Sequence, residues 1–341
     1  MGYLFFNYTN SQIKQRANSK MLYSSYITTL YKYNASFAYK MLWQKQKNNK
    51  ELLVKENLAT HKREYIGERS EQTEQIRADF ERQKSDIKQR LSELKTKMIK
   101  DKKLNKIEGI ARAPKELVAI FQKINELQMD SKILVIGTNS LYAYEARANV
   151  FIEDEHLSTY DIDLLNKRDK GVSFIFSDSI PTLKAIDFLH TIDKTFEQNK
   201  KIPYRFENSR GVWVELINPV SNSVKIESYA DNIFSDVIPL AMNGMQWLNN
   251  SRTFEEIIIG ENGECAMITT IHPLEYAIFK NWLSQQNDRD RGKYFRDLEQ
   301  SKLVTELIQN YLVDISIEEE ILTIRHFKKE VVESFKSHIL K

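Results

Sequence analysis

The sequence predicts an α+β protein: a mixed sheet core flanked by helices, with a long helical region before it and a helical domain after it. Three observations predict this class. Between Lys115 and Thr270, short apolar runs broken by turn residues alternate with amphipathic stretches of helical period. Residues 44–108 are polar, helix-prone and free of proline. From His272 to the end, apolar residues recur at helical spacing. The expected organisation is a basic, helical, coiled-coil-like region at 1–114, a core at 115–270 and a helical C-terminal domain at 271–341.

The N-terminal region comes first. Residues 1–50 hold eight Lys and Arg and no Asp or Glu. Residues 1–115 sum to +13, which leaves −10 for the rest of a chain of net +3. A basic part joined to an acidic remainder points to an acidic partner for the first part. Leu22, Tyr26, Leu30 and Tyr33 lie at helical spacing, which suits a helix packed on its own protein. The same rings among lysines also suit a nucleic-acid surface that contacts phosphate and stacks bases. Over 44–108 a long helix or helical hairpin is expected. Phe80, Ile87, Leu91, Leu94 and Met98 keep a heptad-like stripe, interrupted by Lys84, so pairing with a second copy is one expectation. Gly109 and Arg112-Ala113-Pro114 close this region.

The core follows. Lys115–Gln128 reads as an amphipathic helix. Ile133 to Ile136 is an apolar run of buried-strand character, stopped by Gly137, and Leu141 to Glu145 suits a helix after the Thr138-Asn139-Ser140 turn. A strand is expected at Val172–Phe176 and a helix over Thr182–Asn199. Tyr204–Glu207 and Val212–Ile217 form a hairpin signal around Asn208-Ser209-Arg210-Gly211. Short strands and turns fill Val237–Thr270. Helices are expected at Pro273–Ser284, Asp290–Leu312 and Ile317–Leu340, with His272 at the start of the first.

Composition excludes several classes. A single cysteine, Cys265, rules out an internal disulfide framework and fits a reducing cytoplasm. No segment has the length and apolarity of a membrane span, and Met1 to Phe6 lacks the basic flank and cleavage site of a secretory signal. One glycine in Val-Ile-Gly-Thr-Asn-Ser does not make a dinucleotide fingerprint, no phosphate-binding G-x-x-x-x-G-K-[ST] loop occurs, and one cysteine with scattered histidines argues against zinc.

The chemistry concentrates at two short stretches. On a strand, Asp161 and Asp163 share one face and Ile162 takes the other. Two adjacent carboxylates repel unless a cation lies between them, and Mg²⁺ commonly bridges such a pair to substrate phosphates. Upstream, a strand, a Gly turn and a helix N-terminus supply main-chain N–H groups for an anion. Glu215, on a later strand, is a third carboxylate of suitable character.

This arrangement resembles the nucleotidyltransferase fold of the DNA polymerase β superfamily. The likeness is closest to a bacterial branch of nucleotidyltransferase-like proteins of unassigned substrate. It runs through Gly137–Glu145, Thr159–Leu165, Val214–Pro219, His272–Leu283 and residues 288–297, with Ile107–Pro114 upstream. Thr138 stands where the general motif has Ser or Gly, and Glu215 where Asp is commoner. The resemblance implies a transferase that moves NMP from an NTP, such as ATP, to a macromolecular hydroxyl. Asp161, Asp163 and Glu215 would be the catalytic and metal-binding residues, holding two Mg²⁺, or Mn²⁺ in its place. Gly137, Thr138, Asn139 and Ser140 would hold the nucleotide phosphates, and Lys280, Lys293 and Arg296 would contact the triphosphate. Asp297 would orient Lys293 or Arg296, and Glu145 would form a salt bridge. The expected acceptor is RNA, tRNA included, ahead of protein, in a cytoplasmic toxin–antitoxin or defence setting, with homo-oligomerisation through the N-terminal helices. The alternative is a non-catalytic nucleotide- or RNA-binding module on the same fold.

Overall fold

The computed structural model describes residues 2–47, 49–157, 159–167, 184–217, 234, 237, 244–287 and 289–340. In chain order, β1 (Phe5–Asn7) leads to α1 (Asn10–Ser36), β2 (Tyr39–Lys45), β3 (Glu51–Asn57), β4 (Arg63–Glu68) and α2 (Glu71–Ile107). Next come α3 (Lys115–Glu126), β5 (Ile133–Ile136), a 3-10 turn (Gly137–Ser140), α4 (Leu141–Ala148), β6 (Val150–Ile152), α5 (Asp154–Leu157) and β7 (Asp161–Asn166). The chain continues through α6 (Ala185–His190), β8 (Glu197–Gln198), β9 (Arg205–Glu207), β10 (Trp213–Ile217), α7 (Met245–Asn250), β11 (Thr253–Ile259) and β12 (Cys265–Ile271). Helices α8 (Pro273–Leu283), α9 (Arg291–Tyr311), α10 (Ile317–Ile321) and α11 (Lys329–Ile339) end it. Two compact units result: Met1–Arg16 with Asn105–Lys341, and Ala17–Leu104.

The smaller unit departs from the expected helix over 44–108. Only Glu71–Ile107 is helical, and residues 39–68 form an antiparallel sheet in the order β2-β3-β4. Asparagines make both turns. Asn49 takes the left-handed conformation (φ 62°) between β2 and β3. The Asn57 side chain accepts from the N–H of Ala59 and Thr60, both at 2.9 Å, after β3. Asn favours such local bonds and tolerates left-handed backbone, so it turns the chain between strands where composition alone would continue a helix. Leu53 and Val54 of the central strand are fully buried.

Of the heptad-like stripe of α2, Phe80 and Leu94 are buried and Ile87, Leu91 and Met98 half-buried. Phe80 packs against Phe37 and stacks on Tyr39, at ring separations of 5.3 and 5.1 Å. Tyr23, Tyr26 and Phe37 are buried, so these rings of the N-terminal segment pack inside the unit and do not offer a stacking surface. Trp43 lies under the guanidinium groups of Arg69 and Arg77.

The larger unit is built on a mixed sheet of seven strands, ordered β11-β12-β5-β7-β10-β9-β8. β5 runs parallel to β12 and antiparallel to β7, and β7 runs parallel to β10. β5 is buried along its whole length, as its uninterrupted apolar run requires. α3 lays Leu117, Ile120, Phe121 and Ile124 into the core, and α4 inserts Leu141, Ala143 and Tyr144. α8, α9 and α11 pack together at the C-terminal end. β1 pairs antiparallel with β6, so the first residues of the chain belong to this unit.

Two expected helices are shorter than their periodicity implied. The one expected over Thr182–Asn199 is α6 alone; the chain then turns, the His190 ring meets the Phe196 carbonyl at 2.9 Å, and Glu197 enters β8. The one expected over Ile317–Leu340 breaks into α10 and α11. The strand expected at Val172–Phe176 lies outside the described residues.

Candidate active site

Register builds the site. On parallel strands β7 and β10, Asp163 is paired with Glu215 and Asp161 with Trp213. Side chains two residues apart share a face, so Asp161, Asp163, Trp213 and Glu215 stand on the same side of the sheet. β5 completes it, because Ile136 is opposite Asp163 and the next residue is Gly137. Gly137 is in the left-handed region (φ 72°), and a Cβ there would collide with the Asp163 carboxylate. Glycine is therefore required twice, once for the turn and once for the closeness of an acid.

The turn is braced by side chains from elsewhere in the unit. Gln300 of α9 donates to the Thr138 hydroxyl (3.0 Å) and accepts from Tyr276 (3.1 Å). Thr270 of β12 donates to the Ser140 hydroxyl at 2.8 Å. Asn139 donates to the Asp161 carbonyl at 2.6 Å, while its own Oδ1 is buried without a partner. Both hydroxyls of the turn thus have protein partners.

The electrostatics of the face are unbalanced toward negative charge. Burial, then the Glu215 and Asp161 carboxylates, push Asp163 up to about 7, against the pull of Lys280 and Arg296. A carboxylate so placed is held by like charges, and a divalent cation would relieve all three. The donor set is all oxygen, which suits a hard ion such as Mg²⁺, so the residues present fit one. Glu215 already has a protein cation: Nε and Nη2 of Arg205 reach its Oε1 at 2.8 and 2.5 Å. Correspondingly, the ligand atoms of the three acids do not all come within 4.8 Å of one another. Among the described residues the group that does is Glu153, Glu155 and His156, at and just before α5.

Lys280 on α8 is buried and donates to Asp297 at 2.7 Å. Burial lowers its pKa, opposed by Asp297. Lys293 and Arg296 lie in the first turns of α9 and are exposed. Arg296 is near enough to Asp163 to stabilise its charged form.

A family model described as nucleotidyltransferase matches residues 115–325. The chain belongs to that nucleotidyltransferase family. No significant match was found among curated proteins or among solved structures. Within the family region lie the seven-stranded sheet, all three acids of its face and the Gly137 turn.

Several residues that shape this candidate site escaped sequence reasoning. Asp297 holds Lys280 and Arg289, the latter at 2.7 and 2.6 Å, in place of the expected Lys293 or Arg296. Their partnership joins α8, α9 and the loop between them, which no local spacing announces. Arg205 was within reach, because the β9–β10 hairpin was legible and its register sets Arg205 opposite Glu215. Glu145 is buried in the expected salt bridge, with Arg112 at 3.1 Å. No described helix is long and apolar enough to cross a membrane.

Proposed function

We propose that the protein transfers a nucleoside monophosphate from an NTP to a hydroxyl of a macromolecular acceptor, using Mg²⁺ or Mn²⁺. One observation carries this reading. Asp163 and Glu215 are register partners on adjacent parallel strands, Asp161 is two residues away, and the Gly137 turn abuts Asp163. Asp161 and Asp163 would hold the ions, with Glu215 on the acceptor side, where it also orients or deprotonates the attacking hydroxyl. Bound ions supply Lewis acidity, lowering the hydroxyl pKa and offsetting charge on the departing pyrophosphate. Main-chain N–H groups of Gly137–Ser140 would grip the phosphates. Arg296 and Lys293, exposed on α9, would meet the triphosphate, with Lys280 behind them as a fixed charge. The chain's task is then to align the acceptor oxygen with the α-phosphorus.

RNA is the acceptor this reading favours. Its support is the charge of the first 115 residues, +13 overall, and not the aromatic rings, several of which are buried. An RNA affinity that does not fall with salt would remove that support.

The test is label transfer from each α-³²P NTP with Mg²⁺, to total RNA and to lysate protein. Asp161→Asn should lower transfer at least ~1000-fold with an unchanged circular-dichroism spectrum, a loss of about 4 kcal/mol in transition-state stabilisation. The second reading, a binding module without catalysis, is favoured by the Arg205 ion pair on Glu215. No transfer with any NTP, together with saturable nucleotide binding, would select it.

A further inference from the structure

We infer that Arg205 is a built-in competitor for the acceptor-side cation, holding Glu215 away from metal until the guanidinium is displaced. The inference rests on the metal-dependent reading above and adds a residue to it. Arg205 is opposite Glu215 in the antiparallel β9–β10 pair, so the backbone itself sets the contact. Two guanidinium nitrogens converge on one oxygen, Oε1, at 2.8 and 2.5 Å. The two side chains are only 23% and 17% exposed, so water screens the pair weakly. The guanidinium also lies over the Trp213 ring, 4.4 Å from its centroid, which fixes the arginine from a second side. Trp213 itself is paired with Asp161. The whole device is therefore contained in the strands that carry the acids and in β9 beside them.

The three acids fail to converge to ligand spacing although their strands are adjacent. An arginine gripping the longest of the three accounts for this. Glu is one methylene longer than Asp, which gives the third acid the reach to be held by a neighbouring strand. Two effects of removing Arg205 oppose each other. Loss of the grip frees side-chain torsions of Glu215, which metal binding must then order. Loss of a unit charge beside a divalent ion strengthens binding by roughly tenfold, even at the dielectric constant of water and ~5 Å separation. Freed torsions in one glutamate amount to at most ~2 kcal/mol, whereas in a partly buried site the effective dielectric constant is nearer ~20 and the charge effect is several times its value in water, so charge decides the sign.

The full-length chain should be titrated with Mn²⁺, free ion being read from its electron paramagnetic resonance signal. The wild-type protein is expected to bind one ion more tightly and a second weakly. Arg205→Gln should tighten the weaker site at least tenfold, about 1.4 kcal/mol. Arg205→Lys, which keeps the charge but not the fork or the stacked plane, should fall between. The gain should vanish when Glu215→Gln is combined with Arg205→Gln. Circular dichroism on each variant checks folding. Unchanged or weaker Mn²⁺ binding in folded Arg205→Gln overturns the inference while leaving the metal site standing. Mn²⁺ binding that is indifferent to Asp161→Asn overturns both.

Discussion

Two carboxylates, one in each unit, make an instructive pair. Glu56 in the smaller unit and Asp163 in the larger are both withdrawn from solvent, one buried and one half-buried. Lys40 and Arg63 contact Glu56 at 2.8 and 2.6 Å and hold it down to about 2. Burial, and then the facing Glu215 and Asp161, push Asp163 up to about 7. Chemistry of the group does not explain the difference, since both are ordinary carboxylic acids. Neighbours do. An acid that only serves the fold is given cations, whereas one surrounded by other acids is stable as an anion only when something positive arrives from outside.

The sharpest challenge to this contrast lies within the larger unit. Asp297 is fully buried there, yet it is paired with Lys280 and Arg289 in the manner of Glu56. Asp297→Asn should destabilise the protein by about 3–5 kcal/mol, because it leaves Lys280 buried without its counter-ion. Urea denaturation would measure it, and a change below 1 kcal/mol would mean that Lys280 is not held by this pair.

Asp163 should behave in the opposite sense. In EDTA, Asp163→Asn is expected to stabilise the protein at pH 8 by roughly 2–4 kcal/mol, since a shift of about three units is worth ~4 kcal/mol at most. The sign follows from proton counts. Between pH 4 and 7 the folded protein binds more protons at this position than the unfolded chain does, so stability declines as pH rises through that window. Wild-type protein should lose about 2–3 kcal/mol between pH 5 and pH 8; Asp163→Asn should flatten that slope, and saturating Mg²⁺ should do the same for wild type. A slope that survives the substitution would place its origin elsewhere.

Glu56 should give the smallest effect. Its pKa is lowered on folding, so its contribution is present above about pH 4.5 and is lost as pH falls toward 2. Glu56→Gln should lower the melting temperature slightly at pH 7 and much less at pH 2, a difference readable by calorimetry. Equal shifts at both pH values would show that packing, not charge, is what the substitution disturbs.

Periodicity made much of this legible. The Ile133–Ile136 strand, the Gly137 turn, the Asp161–Asp163 strand and the β9–β10 hairpin are local patterns, and each formed within a residue or two of its expected limits. The three strands at residues 39–68 were not legible. Their residues alternate weakly, and only the asparagine turns at Asn49 and Asn57 mark them. Helix composition outweighed those two turns in the reading of that stretch. At the site, residue types announced the acids but not their partners.

Amino-acid order alone determined which side chains could do chemistry: a two-residue period puts Asp161 and Asp163 on one face whatever the rest of the fold. Sheet order decided the remainder. Setting β10 beside β7 brought Glu215 level with Asp163, and setting β9 beside β10 laid Arg205 on Glu215. Periodicity is a property of a few consecutive residues, while the charge a carboxylate carries depends on every group the folded chain brings within a few ångströms of it.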